Sequence, residues 1–97
     1  MNYEERAEFI LKIAQIIKEL GGQCPGWSHD NEEINIGVGV EWDEDYSRTK
    51  EIMKKLQDRY GGEIQYHEYW ESEGFISVSQ ASLIIKLQGG IKSGFKI

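Results

Sequence analysis

The chain is poor in the residues that usually announce a staple, a rigid turn or a metal site: one cysteine, one proline and two histidines among 97 residues. Cys24 alone cannot close an intramolecular disulfide, which fits a reducing compartment. Cations are also scarce, with 11 Lys and Arg against 17 Asp and Glu and a formal net charge of −6. Direct binding of nucleic acid requires cations that neutralise phosphates, so it is not expected. No apolar run approaches the ~20 residues of a membrane-spanning helix, and no membrane partner is expected. The start, Met1-Asn2-Tyr3-Glu4-Glu5, is acidic where a secretory signal would be basic and then apolar. The expectation is a cytoplasmic protein.

What the chain does have is an internal echo. Gly21-Gly22 recurs as Gly61-Gly62, and each pair closes an apolar helical stretch and opens a strand-like one. Sliding the chain by 40 residues places Glu33 on Glu73, Ile36 on Ile76 and Val38 on Val78. It also aligns Ile13 with Met53, Ile16 with Leu56 and Leu20 with Tyr60. Helix phase, glycine stop and strand phase recur together, which points to a duplicated helix-strand-strand unit. No linker or composition break divides the chain. It reads as a single domain over 1–97, with repeats at 2–42 and 43–82 and a tail at 83–97.

The first helix, over 3–20, carries Phe9, Ile10, Ile13, Ile16, Ile17 and Leu20 on one face. Asn2 and Glu5 have the spacing of a capping box. A second helix over 44–60 places Ile52, Met53 and Leu56 on one stripe and Asp43, Glu44 and Asp45 at its positive end. Ile34, Ile36, Val38, Val40 and Trp42 alternate with polar residues and glycines, as in a strand with one apolar face. Gly37 and Gly39 on its other face predict a bulge or a close approach to that backbone. Pro25 makes the segment 22–29 an edge strand or irregular. Glu63 to Glu71 reads as one strand and Phe75 to Gln80 as its return. Residues 82–88 read as a further strand, with a short helix as the alternative.

Charge is uneven along the chain. Asp30, Glu32, Glu33, Glu41, Asp43, Glu44 and Asp45 fall in one segment without a Lys or Arg, and Glu71 and Glu73 make the second hairpin tip acidic. The first two clusters flank a strand and so stand ~20–25 Å apart. Turns and helix starts favour such residues for capping and solvation. A sharper reading makes them a recognition surface for a basic protein, including one within a nucleic-acid-binding complex, with association steered by charge. Trp42 and Tyr69 beside the acids are residues that interfaces prefer as anchors.

Candidate chemistry is thin. Ser28-His29-Asp30 are adjacent, and three consecutive side chains cannot converge as nucleophile, base and orienter. Cys24 with His29 could form a thiolate pair, but a half-buried thiol beside a loop histidine is the simpler reading. Cys24, His29, Asp30 and His67 lack zinc-ligand spacing. The glycine pairs end helices instead of opening them, unlike phosphate-binding loops. His67-Glu68 and Glu32-Glu33 show no cleft to work in. No enzyme, metal or cofactor is expected.

The expected fold is α+β: duplicated αββ units form one antiparallel sheet of at least four strands, covered by two helices on one face, plus a C-terminal strand. That order resembles a circularly permuted ferredoxin-like plait, an architecture without an implied activity. The expected core is Phe9, Ile13, Ile16, Leu20, Ile36, Val38, Val40, Met53, Leu56, Ile76 and Val78. In size, acidity and lack of catalytic motif the chain resembles small inhibitors encoded by phages and mobile elements, anti-CRISPR proteins among them, and toxin-neutralising immunity proteins. The resemblance is one of type, and it implies a protein-binding module that occupies a partner's basic surface. The alternative is a sensor or regulatory subunit domain whose open sheet face, with Gly37 and Gly39, takes a small ligand or a second copy.

Overall fold

The computed structural model describes residues 1–71 and 77–87. Helix α1 spans Tyr3–Glu19 and begins on the expected capping box. The Asn2 side chain accepts the Glu5 amide at 2.8 Å, while the Glu5 carboxylate accepts the Asn2 amide at 2.9 Å. Two orphan donors are thereby satisfied at once. Strands β1 (Trp27–His29) and β2 (Glu33–Glu41) follow, then α2 (Ser47–Tyr60), β3 (Glu63–Tyr66), β4 (Trp70–Glu71) and β5 (Ser77–Lys86). Gly21 and Gly61, with φ of +94° and +75°, turn the chain out of each helix in a backbone region that side chains resist.

All five strands form one antiparallel sheet in the order β1-β2-β5-β3, with β4 also on β5. Each helix-hairpin unit contributes its last strand to the centre of the sheet, as β2 and β5, and its earlier strands to an edge. The two helices pack on one face, which was the expectation. Alternation along β2 aims Ile34, Ile36, Val38 and Val40 into that layer, and all four are buried. Ile10, Ile13 and Ile17 of α1, Ile52, Met53 and Leu56 of α2, and Ala81 and Leu83 of β5 complete the core. Phe9, Ile16 and Leu20 are only partly buried at its margin.

Four expectations are corrected. Helix α2 starts at Ser47, because the acids at 43–45 precede it and cap it from outside. The expected strand 63–71 is broken: three residues, His67 to Tyr69, stand opposite two of β5 between the Tyr66–Ala81 and Trp70–Val78 pairs. Such a bulge reverses the alternation, so Tyr66 and Trp70 point to opposite faces. The expected return strand ending at Gln80 and the tail strand at 82–88 are one strand, β5, which excludes the helical alternative for 82–86. Its serines, Ser77, Ser79 and Ser82, disguise a central strand as two peripheral ones.

The fourth correction concerns the echo itself. Val78 lies opposite Glu41, on the face away from the helices, whereas Val38 lies on the helix face. Sliding by 40 aligns the helices and their glycine stops but inverts the strand phase, so Val78 is not a core residue. Ile76, the other expected core position of this hairpin, lies outside the described residues, as do 88–97.

Candidate functional site

Three aspartates do local backbone work. Asp30 Oδ1 accepts the amides of Glu32 and Glu33 at 2.7 and 2.9 Å, closing the β1–β2 turn. Those hydrogen bonds hold its carboxyl below the usual range. Asp45 accepts the Ser47 amide at 3.1 Å and is lowered chiefly by that bond. Asp43 is 4% exposed, and its two oxygens accept the amides of Arg48 and Thr49 at 3.1 and 2.9 Å. It also accepts the hydroxyls of Thr49 at 2.7 Å and Ser79 at 3.1 Å. Burial pushes the Asp43 carboxyl up, but the bonds from Thr49, Arg48 and Ser79 outweigh it and leave it below the usual range. The first three amides of α2, which no intrahelical carbonyl can reach, are thus satisfied by Asp45 and Asp43. Asp43 was expected on a recognition surface; it is instead an internal cap, tied to β5 through the mutual contact of Thr49 and Ser79.

The glutamates, with Asp30 and Asp45, are the surface acids. Glu32, Glu41, Glu44, Glu68 and Glu71 are exposed, and Glu33 is half-buried and paired with Lys86 Nζ at 2.7 Å. That contact raises the Lys86 ammonium. The acids do not form one patch. Asp30, Glu32 and Glu33 sit at one end of β2 and Glu41 to Asp45 at the other, ~26 Å away over eight residue steps.

The second end is also the aromatic end. The Trp42 amide donates to the Ser77 carbonyl at 2.8 Å, and Glu71 pairs with the same Ser77 from the other side of β5. Backbones one strand to either side of β5 stand ~10 Å apart, so Glu41-Trp42 and Trp70-Glu71 flank a single strand. Trp42 and Trp70 are 66% and 48% exposed. Trp42 and Tyr46 have φ of +58° and +60°, a left-handed conformation that bulky residues seldom adopt. Tyr46 packs edge-on to Tyr66 with ring centres 6.2 Å apart, lies 6.3 Å from Tyr69, and donates its hydroxyl to the His67 carbonyl at 2.5 Å. Tyr69 is half-buried behind this cluster. Glu73 lies outside the described residues.

The opposite sheet face holds a second feature. Gln23 bridges Gly39, and Trp27 pairs with Ile36, so three residues, Cys24 to Gly26, oppose two of β2. The bulge tilts Pro25 and Gly26 over β2. A Cβ on Gly37 would come within 3.1 Å of the Gly26 carbonyl, and one on Gly39 within 3.2 Å of Val78. The close approach expected here is therefore made at Gly37 by the chain's own Pro25-Gly26 segment and at Gly39 by the Val78 side chain of β5. Beside it opens a cavity of about 380 Å³, lined by Gly37 and by Ser28, Asn35, His67, Gln80 and Ser82. His67 Nε2 lies 2.8 Å from the Ser82 hydroxyl. Sequence reading anticipated a ligand site on this open face beside Gly37 and Gly39 but not its lining by Ser28, Asn35, Gln80 and Ser82; His67 follows Tyr66 in simple alternation and so lies on this face opposite Gln80. The polar positions of the two central strands were the lining's only signal.

The other candidate chemistry falls apart in space. His29 Nδ1 accepts from the Arg6 guanidinium at 2.9 Å, and Ser28 points to the opposite face. Burial pushes the Cys24 thiol up, and its sulfur contacts the Gly26 carbonyl at 3.6 Å. Burial outweighs the backbone contact, which acts the other way, and leaves the thiol a poor nucleophile at neutral pH. Among the described residues no group of three His, Cys, Asp or Glu is placed to hold a metal, and no helix is long and apolar enough to cross a membrane. No family model, curated protein or solved structure matches this chain.

Proposed function

We propose that the protein is a cytoplasmic protein-binding module that docks the acidic, aromatic end of its sheet on a basic surface of a partner. The observation that carries this reading is the pair of exposed tryptophans, Trp42 and Trp70, on either side of β5 and surrounded by Glu41, Glu44 and Glu71. Exposed Trp is costly to solvate and is a preferred interface anchor. The glutamates supply charge complementarity around it. The left-handed backbone at Trp42 and Tyr46 supports the same reading, since bulky residues are held there only where the surroundings enforce it. A partner that itself binds nucleic acid offers such a basic surface, and occupying it would inhibit that partner, as an anti-defence or immunity protein does.

The test uses the partner recovered from host lysate at low salt, followed by binding kinetics. Glu41→Lys with Glu44→Lys should slow association by roughly tenfold and flatten its salt dependence, because steering is screened over ~8 Å at physiological ionic strength. Association unaffected by both salt and these reversals would reject the reading.

A further inference from the structure

The cavity on the open sheet face carries an inference independent of the acidic end. Asn35 stands on β2, and Gln80 and Ser82 on β5, the two central strands. Their side chains are therefore held on the most constrained part of the sheet. His67 is fixed from two directions: its amide donates to the Gln80 carbonyl at 2.9 Å, and its carbonyl accepts from the Tyr46 hydroxyl at 2.5 Å. Groups held on rigid elements in this way are preorganised to bind.

The lining limits what could occupy the site. Among the described residues, no Lys, Arg, Asp or Glu lines the cavity. A charged ligand would lose hydration there without meeting a counter-charge. A flat heteroaromatic ligand needs a ring to stack on. Of the two aromatic residues that line the cavity, Trp27 pairs with Ile36, which sets its side chain on the helix side of the sheet, and the His67 ring is engaged by the Ser82 hydroxyl. What remains is uncharged and bidirectional: the amides of Asn35 and Gln80 both donate and accept, and the Ser82 hydroxyl has bonding capacity beyond its contact with His67. At about 380 Å³ the space lies near the lower end of ligand sites.

We propose that this face binds a neutral, monosaccharide-sized polyol, with Asn35 and Gln80, four residue steps or ~13 Å apart along the strands, engaging hydroxyls at its opposite ends and the Ser82–His67 pair one between them. Each amide can accept from one hydroxyl and donate to another, a match that anions, which only accept, do not offer.

The test is a titration of the ¹⁵N-labelled full chain, followed by amide chemical shifts, with glucose, galactose, mannose, ribose and myo-inositol as the probes. At least one should give saturable shifts centred on Gly26, Gly37, His67, Gln80 and Ser82. Asn35→Ala and Gln80→Ala should each weaken that binding by about tenfold, with amide positions elsewhere unchanged as proof of folding. Absence of saturable shifts with all five probes at up to ~100 mM in the wild-type chain would overturn the proposal. So would saturable binding that both variants leave intact, or binding of adenine or inorganic phosphate at these amides in place of the sugars.

Discussion

The two ends of β2 look alike as sequence and behave differently as structure. At the Glu33 end, Asp30 closes a solvated turn and Glu33 meets Lys86 in an exposed pair. At the Glu41 end, Asp43 is drawn inside to cap α2 and to bind Ser79, which leaves Trp42 and Glu44 facing outward. One run of acids thus serves as ordinary turn chemistry, and the other joins a helix, a central strand and an exposed aromatic surface. Acid density alone does not mark function. What distinguishes the ends is where each carboxylate finds its hydrogen-bond donors.

Removing Asp43 should produce the largest effect. Asp43→Ala strips the cap from α2 and takes a buried acceptor from the hydroxyls of Thr49 and Ser79, so it should cost ~2–4 kcal/mol in denaturant unfolding. Asp30→Ala should shift the midpoint much less, and equal losses would erase the contrast between the ends. Next comes partner affinity: Trp42→Ala should cost ~1–3 kcal/mol of binding, whereas Glu32→Lys with Glu33→Lys, at the far end, should leave it unchanged. Weakening by the far-end reversals comparable to that at Trp42 would mean that one partner spans both ends.

Acid sensitivity should be smaller. Asp43, Asp30 and Asp45 are held below their unfolded values, so their stabilisation is present above the ordinary carboxylate range and lost as pH falls through the folded values. Stability should therefore decline below about pH 4, and Asp43→Asn should make that decline shallower. Urea midpoints measured across this range check it, and parallel curves would remove Asp43 as a contributor. The smallest effect belongs to the Glu33–Lys86 pair. Glu33→Gln should leave the unfolding midpoint unchanged, because exposed ion pairs gain little over their solvated partners.

The helices were legible because their signals are local. Apolar spacing in α1, the Asn2–Glu5 box and the glycine stops each depend on neighbours within four residues or so. The strands were legible in composition but not in phase. β2 alternates cleanly, while β5 hides behind serines that the Asp43–Thr49–Ser79 network makes tolerable inside. The candidate sites were half visible. Trp42, Tyr69 and the acids were named by type, yet Asp43 proved internal, and Trp70 gained its outward position only through the bulge at 67–69.

By itself the sequence determined two amphipathic helices, an alternating strand between them and an acidic surface, because hydrophobic period and charge are properties of short windows. The tertiary structure decided which β residue faces which layer. A side chain's face has period two, so a single extra residue in either edge strand inverts everything beyond it. The bulge at Cys24 to Gly26 lays Pro25 over Gly37 and shapes the cavity, and the bulge at His67 to Tyr69 turns Trp70 outward. The first insertion is signalled only by Pro25 and by the glycines opposite it, and the second is not marked in the chain at all. Both follow from pairing with a central strand, and β3 finds its partner β5 as far along the chain as Ile84 opposite Glu63.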